Sequence, residues 1–291
     1  TGVREPTTRN ISEVRNRGWE ALVSWQDKIG DFSYGLTVNV TNVDSEVLAL
    51  DPQLTGETDR LVDGRFVLQR GSPINAIYGL EVEGVFQSQS EIDAAVDQSA
   101  FGTPAPGDLR YKDVDGNNVI DFNDRVVIGK DNPSWIYAIN LNLGFKGFDF
   151  SALVQGIGDA QTYGEDELFQ PFNNNAGLAT FWLDRWTPDN PSTTMPRLAF
   201  NGGIAQNITN EFWVQERSYI RLKNVQLGYT LPKNLFADNF IESLRVFING
   251  QNLLTITDYQ GFDPEREERD SDGGSGYPQL RVFTAGVNLQ F

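Results

Sequence analysis

The strongest constraint on the fold is a regular alternation of apolar and polar residues. In segment 32–41 every second residue is apolar, and the intervening residues are polar or small. Segments 135–145 and 148–155 repeat the pattern on either side of Lys146 and Gly147, and segment 283–291 carries it to the last residue. Because successive side chains of a β-strand point to opposite faces, the pattern predicts antiparallel strands, each with an apolar and a polar face.

The links between the predicted strands alternate between short and long. Roughly nine strands are predicted, of which segments 61–70 and 74–85 show the weakest pattern. Short links are predicted at 29–31, 71–73, 146–147 and 231–240, and long links at 43–60, 86–132, 159–213 and 258–277. This layout is typical of outer-membrane barrels, which have short periplasmic turns and long external loops. Since bacterial barrels have an even number of strands, an odd count predicts further strands outside this chain.

A soluble β-sandwich is the main alternative, because it also hides one face of each strand. Two features favour a membrane barrel: the polar faces carry rows of Asn, Gln, Ser and Gly, and the long links exceed those of a compact sandwich. Aromatic residues also lie near the strand ends, as at a membrane interface: Trp19, Trp25, Phe32, Trp135, Phe145, Phe148 and Phe291. We therefore predict an all-β, transmembrane antiparallel barrel spanning residues 1–291.

The composition narrows the function. The 291 residues include no cysteine and no histidine, which excludes thiol chemistry, Ser-His-Asp triads and His-ligated metals. The net charge of −17 argues against nucleic acid as a partner. Paired carboxylates occur, but no spacing defines an acid/base pair, so no enzyme activity is predicted.

One local motif has a recognisable chemistry. Within the long link 86–132, treated as an external insert, segment 113–124 has the spacing of a calcium-binding loop. The oxygen ligands would come from Asp113, Asp115, Asn117, the Val119 carbonyl, Asp121 and Asp124. Calcium prefers several hard oxygen ligands in a flexible ring, and Ile120 would anchor the loop in the core.

Two positions depart from the usual calcium loop. Asn118 stands where glycine is expected, although asparagine tolerates the left-handed conformation. Asp124 stands in place of glutamate, and its shorter side chain weakens bidentate binding. The alternative is an acidic turn that binds no ion. We predict a structural Ca²⁺ that fixes the external loop.

Other charged and aromatic residues have two interpretations. Arg221, Lys223 and Arg245 would face the lumen, where they either steer an anionic solute or pair with carboxylates. The aromatic segment 178–186 either lines a sugar-binding surface or, as we favour, packs beneath a loop. Segment 265–272 is predicted to be a solvated loop, and a phase slip at 220–222 predicts a β-bulge.

Several motifs together resemble the C-terminal barrel portion of SusC/RagA-type TonB-dependent transporters. The resemblance spans nearly the whole chain from about residue 15. The matching segments, in order, are 16–20 (NRGWE), 106–113 (PGDLRYKD), 124–125 with 128–129, 218–225 (SYIRLKNV), 227–229 (LGY), 246–253 (VFINGQNL) and the terminal Phe291.

The resemblance implies a 22-stranded outer-membrane barrel preceded by a plug domain and a TonB box. Such a protein imports oligosaccharides or peptides, carries a SusD-type surface lipoprotein as a lid, contacts outer-membrane lipid and draws energy through TonB. No plug motif occurs in this chain, so the remaining barrel and plug are expected elsewhere. The alternatives are a calcium-stabilised structural or adhesive barrel and a secreted β-rich glycan-binding protein.

Overall fold

The structure is a computed structural model, and it describes residues 10–164, 177–199, 208–236, 241–265 and 278–291. The strands in chain order are β1 (Ser12–Ile29), β2 (Phe32–Leu50), β3 (Arg60–Asp63), β4 (Phe66–Gln69), β5 (Ala76–Gly79), β6 (Val82–Val85), β7 (Leu109–Tyr111), β8 (Val126–Lys130), β9 (Trp135–Phe145), β10 (Phe148–Gly158), β11 (Gln161–Tyr163), β12 (Val214–Glu216), β13 (Tyr219–Thr230), β14 (Ser243–Thr257) and β15 (Val282–Gln290). The two short α-helices are α1 (Pro52–Thr55) and α2 (Gln89–Ala94).

The long strands form one open antiparallel sheet of seven strands, in the order β1-β2-β9-β10-β13-β14-β15. Two-residue turns join β1 to β2 and β9 to β10 at one end, here called the hairpin end, and the long connections that follow β2, β10 and β14 lie at the other, the loop end. Strands β9 and β10 have 11 residues each, so at about 3.3 Å per residue each extends about 36 Å. That length is sufficient to cross the apolar core of a bilayer.

The register of the sheet separates apolar and polar residues onto opposite faces. A transverse apolar row runs through Leu36, Leu141, Ala152 and Val225, and the next row contains Leu143, Phe150, Leu227 and Ile248. Polar rows lie on the other face, for example Gly35, Asn142, Ser151, Gln226 and Asn249. The predicted alternation is therefore confirmed, because residues of one kind meet their own kind on each neighbouring strand.

The apolar face of the seven-stranded sheet is exposed, unlike that of a soluble sheet. Large apolar side chains of the seven-stranded sheet are exposed, including Trp25, Ile139, Phe148, Ile248 and Phe283. The main buried clusters lie beyond the loop end, one around Leu80, Leu109 and Ile120, the other around Trp182 and Trp213. Trp182 is buried and Phe181 and Trp186 pack against these clusters, which supports the packing interpretation for the aromatic residues of segment 178–186.

The number of strands in the main sheet is lower than predicted. The segments predicted as strands at 61–70 and 74–85 form short strands instead, and β3, β4, β5 and β8 make a separate four-stranded sheet. Each of β3, β4 and β5 has only 4 residues, or about 13 Å, too short to span a bilayer. The predicted periplasmic turn at 71–73 also lies at the loop end, where the Gly71 amide donates to the Val47 carbonyl at 2.8 Å.

A bulge interrupts β13 close to the predicted position. The pairing with β10 passes from Leu222 directly to Asn224, so Lys223 is the extra residue. As a result, Arg221 and Asn224 both belong to the polar rows, whereas Leu222 and Val225 stay in the apolar ones.

Among the described residues, none of the helices has the length and apolar character needed to cross a membrane.

Candidate functional site

The predicted calcium loop lies between β7 and β8 and is held by its own carboxylates. Gly116 and Asn118 have positive φ angles of 74° and 66°, which lets the chain turn twice within a few residues. Asn118 therefore adopts the left-handed conformation, which asparagine tolerates, in the place where glycine is usual. Ile120 is fully buried, and its amide donates to the Asp97 carbonyl at 2.7 Å, which fastens the loop to the core.

Three of the six predicted ligands come together. Asp113, Asp115 and Asp124 each place a carboxylate oxygen within 4.8 Å of the others. Asp124 is fully buried, and one of its oxygens accepts hydrogen bonds from the amides of Val114 at 2.8 Å and Asp115 at 3.4 Å. Its other oxygen accepts from the Asp121 amide at 2.8 Å. The carboxylates of Asp113, Asp115 and Asp124 thus form an acidic cluster within the loop.

Two of the other predicted ligands, Asp121 and Asn117, accept hydrogen bonds from neighbouring amides. The Asp121 carboxylate accepts from the Asn123 amide at 2.6 Å and caps the short 3-10 helix Phe122–Asp124. The Asn117 side-chain oxygen accepts from the Val119 amide at 2.7 Å. Both are side-chain turns typical of loops of this composition.

The electrostatics of the loop keep its first aspartate charged. Partial desolvation acts to raise the pKa of Asp113, but hydrogen bonds from the amides of Asn118, Gly116 and Asn117 outweigh it and lower the pKa below its ordinary value. A carboxylate held ionised beside two others suits a hard divalent cation, which would relieve their mutual repulsion.

The predicted lumen-facing cations are all paired with carboxylates. Arg245 contacts Asp149 across the sheet, with Nε to Oδ1 at 2.9 Å. Arg221 and Lys223 both contact Glu265, at 2.5 Å and 2.6 Å. Pairing is therefore the interpretation that the structure supports. The prediction of solvation is wrong for Glu265, and residues 266–272 lie outside the described residues.

Two features of these sites were not apparent from the sequence. Asp263 accepts from Arg221 at 2.7 Å, and Arg197 contacts the buried carboxylate of Asp108 at 2.7 Å. The partners lie 42 and 89 residues apart in the chain, and neither pair follows from a local pattern. The only signal for Asp108 is its position in the segment 106–113, which carries part of the family resemblance.

Comparison with known proteins gives consistent relatives. No protein-family model matches the chain. TonB-dependent receptor P3 of Formosa agariphila is 31% identical over 306 residues, covering 97% of this chain and 29% of the receptor. TonB-dependent receptor SusC of Bacteroides thetaiotaomicron is 23% identical, covering 100% of this chain and 28% of the receptor.

A solved structure shows the same fold. The RagAB peptide importer in its open-open state superposes with a TM-score of 0.74 at 22% identity, covering 97% of this chain and 29% of the importer chain. The chain thus spans less than a third of the length of the relatives it matches.

Proposed function

Because the chain belongs to the SusC/RagA-type TonB-dependent receptors, we propose that it supplies part of the barrel wall of an outer-membrane nutrient importer. The observation that carries this proposal is the exposed apolar face of the seven-stranded sheet, opposite a face of polar rows. An apolar outer face and a polar inner face are what a barrel needs between lipid and a watery lumen.

The partners follow from the family and from the open sheet. Strands β1 and β15 are its two edges, and each leaves a row of backbone groups to be paired. We propose that the rest of the barrel and a plug domain complete it, that a SusD-type surface lipoprotein covers the loop end, and that TonB supplies energy through the plug. The polar face lined by Asn, Gln, Ser and charged pairs suits a hydrophilic cargo such as an oligosaccharide or a peptide.

The relatives are named as receptors and importers, and we infer that this chain has no catalytic activity of its own. A purely structural or adhesive barrel and a secreted glycan-binding protein remain the competing functions. A secreted protein would need the outward apolar face of the sheet to be covered by some other surface, whereas a membrane covers it with lipid.

We propose in addition that segment 113–124 binds Ca²⁺ in a structural role. The three adjoining carboxylates of Asp113, Asp115 and Asp124 support this proposal, together with the two left-handed residues that bend the loop around them. Asn117 and Asp121 would join the ligand set after side-chain rotations, and the Val119 carbonyl would join it from the backbone. The ion would fix the region between β7 and β8 through the buried Ile120.

The import function is testable in cells. Deletion of the gene for the full-length protein is expected to abolish uptake of one class of oligosaccharide or peptide, and the intact gene is expected to restore it. Return of a gene that encodes Gly156→Ala, in place of the intact gene, tests whether uptake depends on an undamaged barrel wall. Unchanged uptake across a panel of labelled oligosaccharides and peptides in the deletion strain would contradict the proposal.

A further inference from the structure

The polar face of the sheet carries a cluster of charged residues at its loop end. Arg221, whose side chain is 3% exposed, donates from Nη2 to Asp263 at 2.7 Å and from Nη1 to Glu265 at 2.5 Å. Its Nε donates to the Thr255 hydroxyl at 2.9 Å on the neighbouring strand. All three guanidinium nitrogens therefore donate hydrogen bonds. Thr255 holds the group from the sheet, and Asp263 and Glu265 hold it from the segment after β14.

A second cation shares one of these carboxylates. Lys223 Nζ lies 2.7 Å and 2.6 Å from the two oxygens of Glu265. Because Lys223 is the extra residue of the bulge, β13 presents both Arg221 and Lys223 on the polar face. From Val225 onward the regular alternation resumes, with Val225 on the apolar face. The bulge therefore places two positive charges against one glutamate without turning any charge towards lipid.

The two carboxylates belong to the connection between β14 and β15. Asp263 Oδ1 accepts from the Glu265 amide at 2.9 Å, and its Oδ2 accepts from the Gln279 amide at 2.7 Å. Asp263 therefore ties together the outgoing and the returning ends of this connection. Glu265 reaches further and accepts from Gln155 on β10 at 3.2 Å, so segment 258–265 crosses over β13 on the polar face.

We propose that Arg221 and Lys223 are positioning residues that clamp segment 258–265 onto the polar face of the sheet. Since the charges are largely removed from water, salt screens them little, and loss of Lys223 or Glu265 leaves an unbalanced charge among two cations and two carboxylates that otherwise neutralise each other. The clamp is thus expected to release as a unit.

The test uses the full-length transporter in lipid vesicles, with a pair of spin labels at Phe262→Cys and Ile139→Cys. This chain contains no cysteine of its own, and any cysteine elsewhere in the protein is replaced first. Phe262 and Ile139 are both exposed, so the labels do not disturb the charge cluster of Arg221, Lys223, Asp263 and Glu265. The width of the distance distribution between the labels reports how firmly segment 258–265 is held.

The clamp predicts a specific order of variants. Lys223→Met and Glu265→Gln are expected to broaden the distance distribution by at least about twofold, and Lys223→Arg to restore the narrow distribution. Arg245→Met is the matched control, because it removes a polar-face ion pair within the sheet that holds no loop. Heat-modifiable migration on a gel confirms that each variant has a folded barrel.

The outcomes separate this inference from the import proposal. Broadening in Lys223→Met and Glu265→Gln but not in Arg245→Met supports the clamp, whether or not the vesicles take up cargo. A distribution that stays narrow in both folded variants, or that broadens equally in Arg245→Met, would overturn it. Failure of the import proposal would appear separately, as unchanged uptake in the gene-deletion strain, and would leave the clamp result standing.

Discussion

Replacing Gly156 with alanine is expected to destabilise the barrel by about 3 kcal/mol, among the largest effects of any single methyl group in this chain. Gly156 lies on β10 beside β13, and a Cβ built there would come within 2.1 Å of the Tyr219 carbonyl oxygen. The same Cβ would lie 2.6 Å from the hydroxyl of Tyr137, which crosses over Gly156 to donate to that carbonyl at 2.9 Å.

The clash is with backbone, so it cannot be relieved by rotating a flexible side chain. The strands β10 and β13 must separate or the bond from Tyr137 must break, and both loosen the sheet at its loop end. The measurement is the fraction of full-length protein that migrates as a folded barrel on unheated gels, over a series of urea concentrations.

Gly158→Ala provides the matched control on the same strand. A Cβ at Gly158 would meet the Trp135 side chain at 3.5 Å, an ordinary contact. We expect Gly158→Ala to unfold at nearly the same urea concentration as the unmodified protein, and Gly156→Ala at a much lower one. Equal unfolding midpoints for the two variants would contradict the close contact between Gly156 and the Tyr219 carbonyl.

The second large effect is expected in the calcium loop. Ca²⁺ is expected to slow hydrogen exchange of the peptide spanning residues 113–125 by about tenfold or more relative to a chelator, because binding stabilises the closed loop. Asp113→Asn together with Asp115→Asn is expected to abolish the difference by removing two of the three adjoining carboxylates. Hydrogen exchange of the full-length protein, followed by mass spectrometry, measures it.

Asp124 is expected to behave differently from the other two ligands. Its carboxylate accepts hydrogen bonds from the amides of Val114, Asp115 and Asp121, and loss of each bond leaves a partly buried donor at a cost of about 1–3 kcal/mol. Asp124→Ala is therefore expected to accelerate exchange even without Ca²⁺.

The control for the calcium test is Asp93→Asn, an exposed acid on α2 outside the loop. It is expected to leave the response to Ca²⁺ unchanged, and Mg²⁺ is expected to reproduce little of it, because Mg²⁺ retains more of its own water. Exchange that is the same in Ca²⁺ and in chelator would refute the calcium proposal and leave segment 113–124 as an acidic turn.

The sequence predicted the long strands well because each carries its own signal. In β9 and β10 every second residue is apolar, and the register in the structure joins these residues into rows. The bulge was also foreseen, since the phase of β13 changes within a few residues, but its position at Lys223 follows only from pairing with β10. Local alternation thus defines a strand and its faces.

Alternation does not reveal how far a strand extends or which sheet it joins. Segments 61–70 and 74–85, where the alternation is weakest, were predicted as strands of the barrel, yet they form the short strands β3 to β6 beyond the loop end. The contacts of Asp263 and Glu265 could not be predicted from the sequence either, because Glu265 and Arg221 are 44 residues apart in the chain. Such contacts depend on where a long connection folds back.

The most direct test of the account is the side of the membrane on which each end of the sheet lies. Single cysteines at Asp93, beyond the loop end, and at Asp31, in the turn between β1 and β2, would be treated in intact cells with a large maleimide that does not cross the outer membrane. A barrel with external long connections is expected to be labelled at position 93 in intact cells and at position 31 only after the outer membrane is opened. Equal labelling of both positions in intact cells, or labelling of position 31 alone, would contradict it.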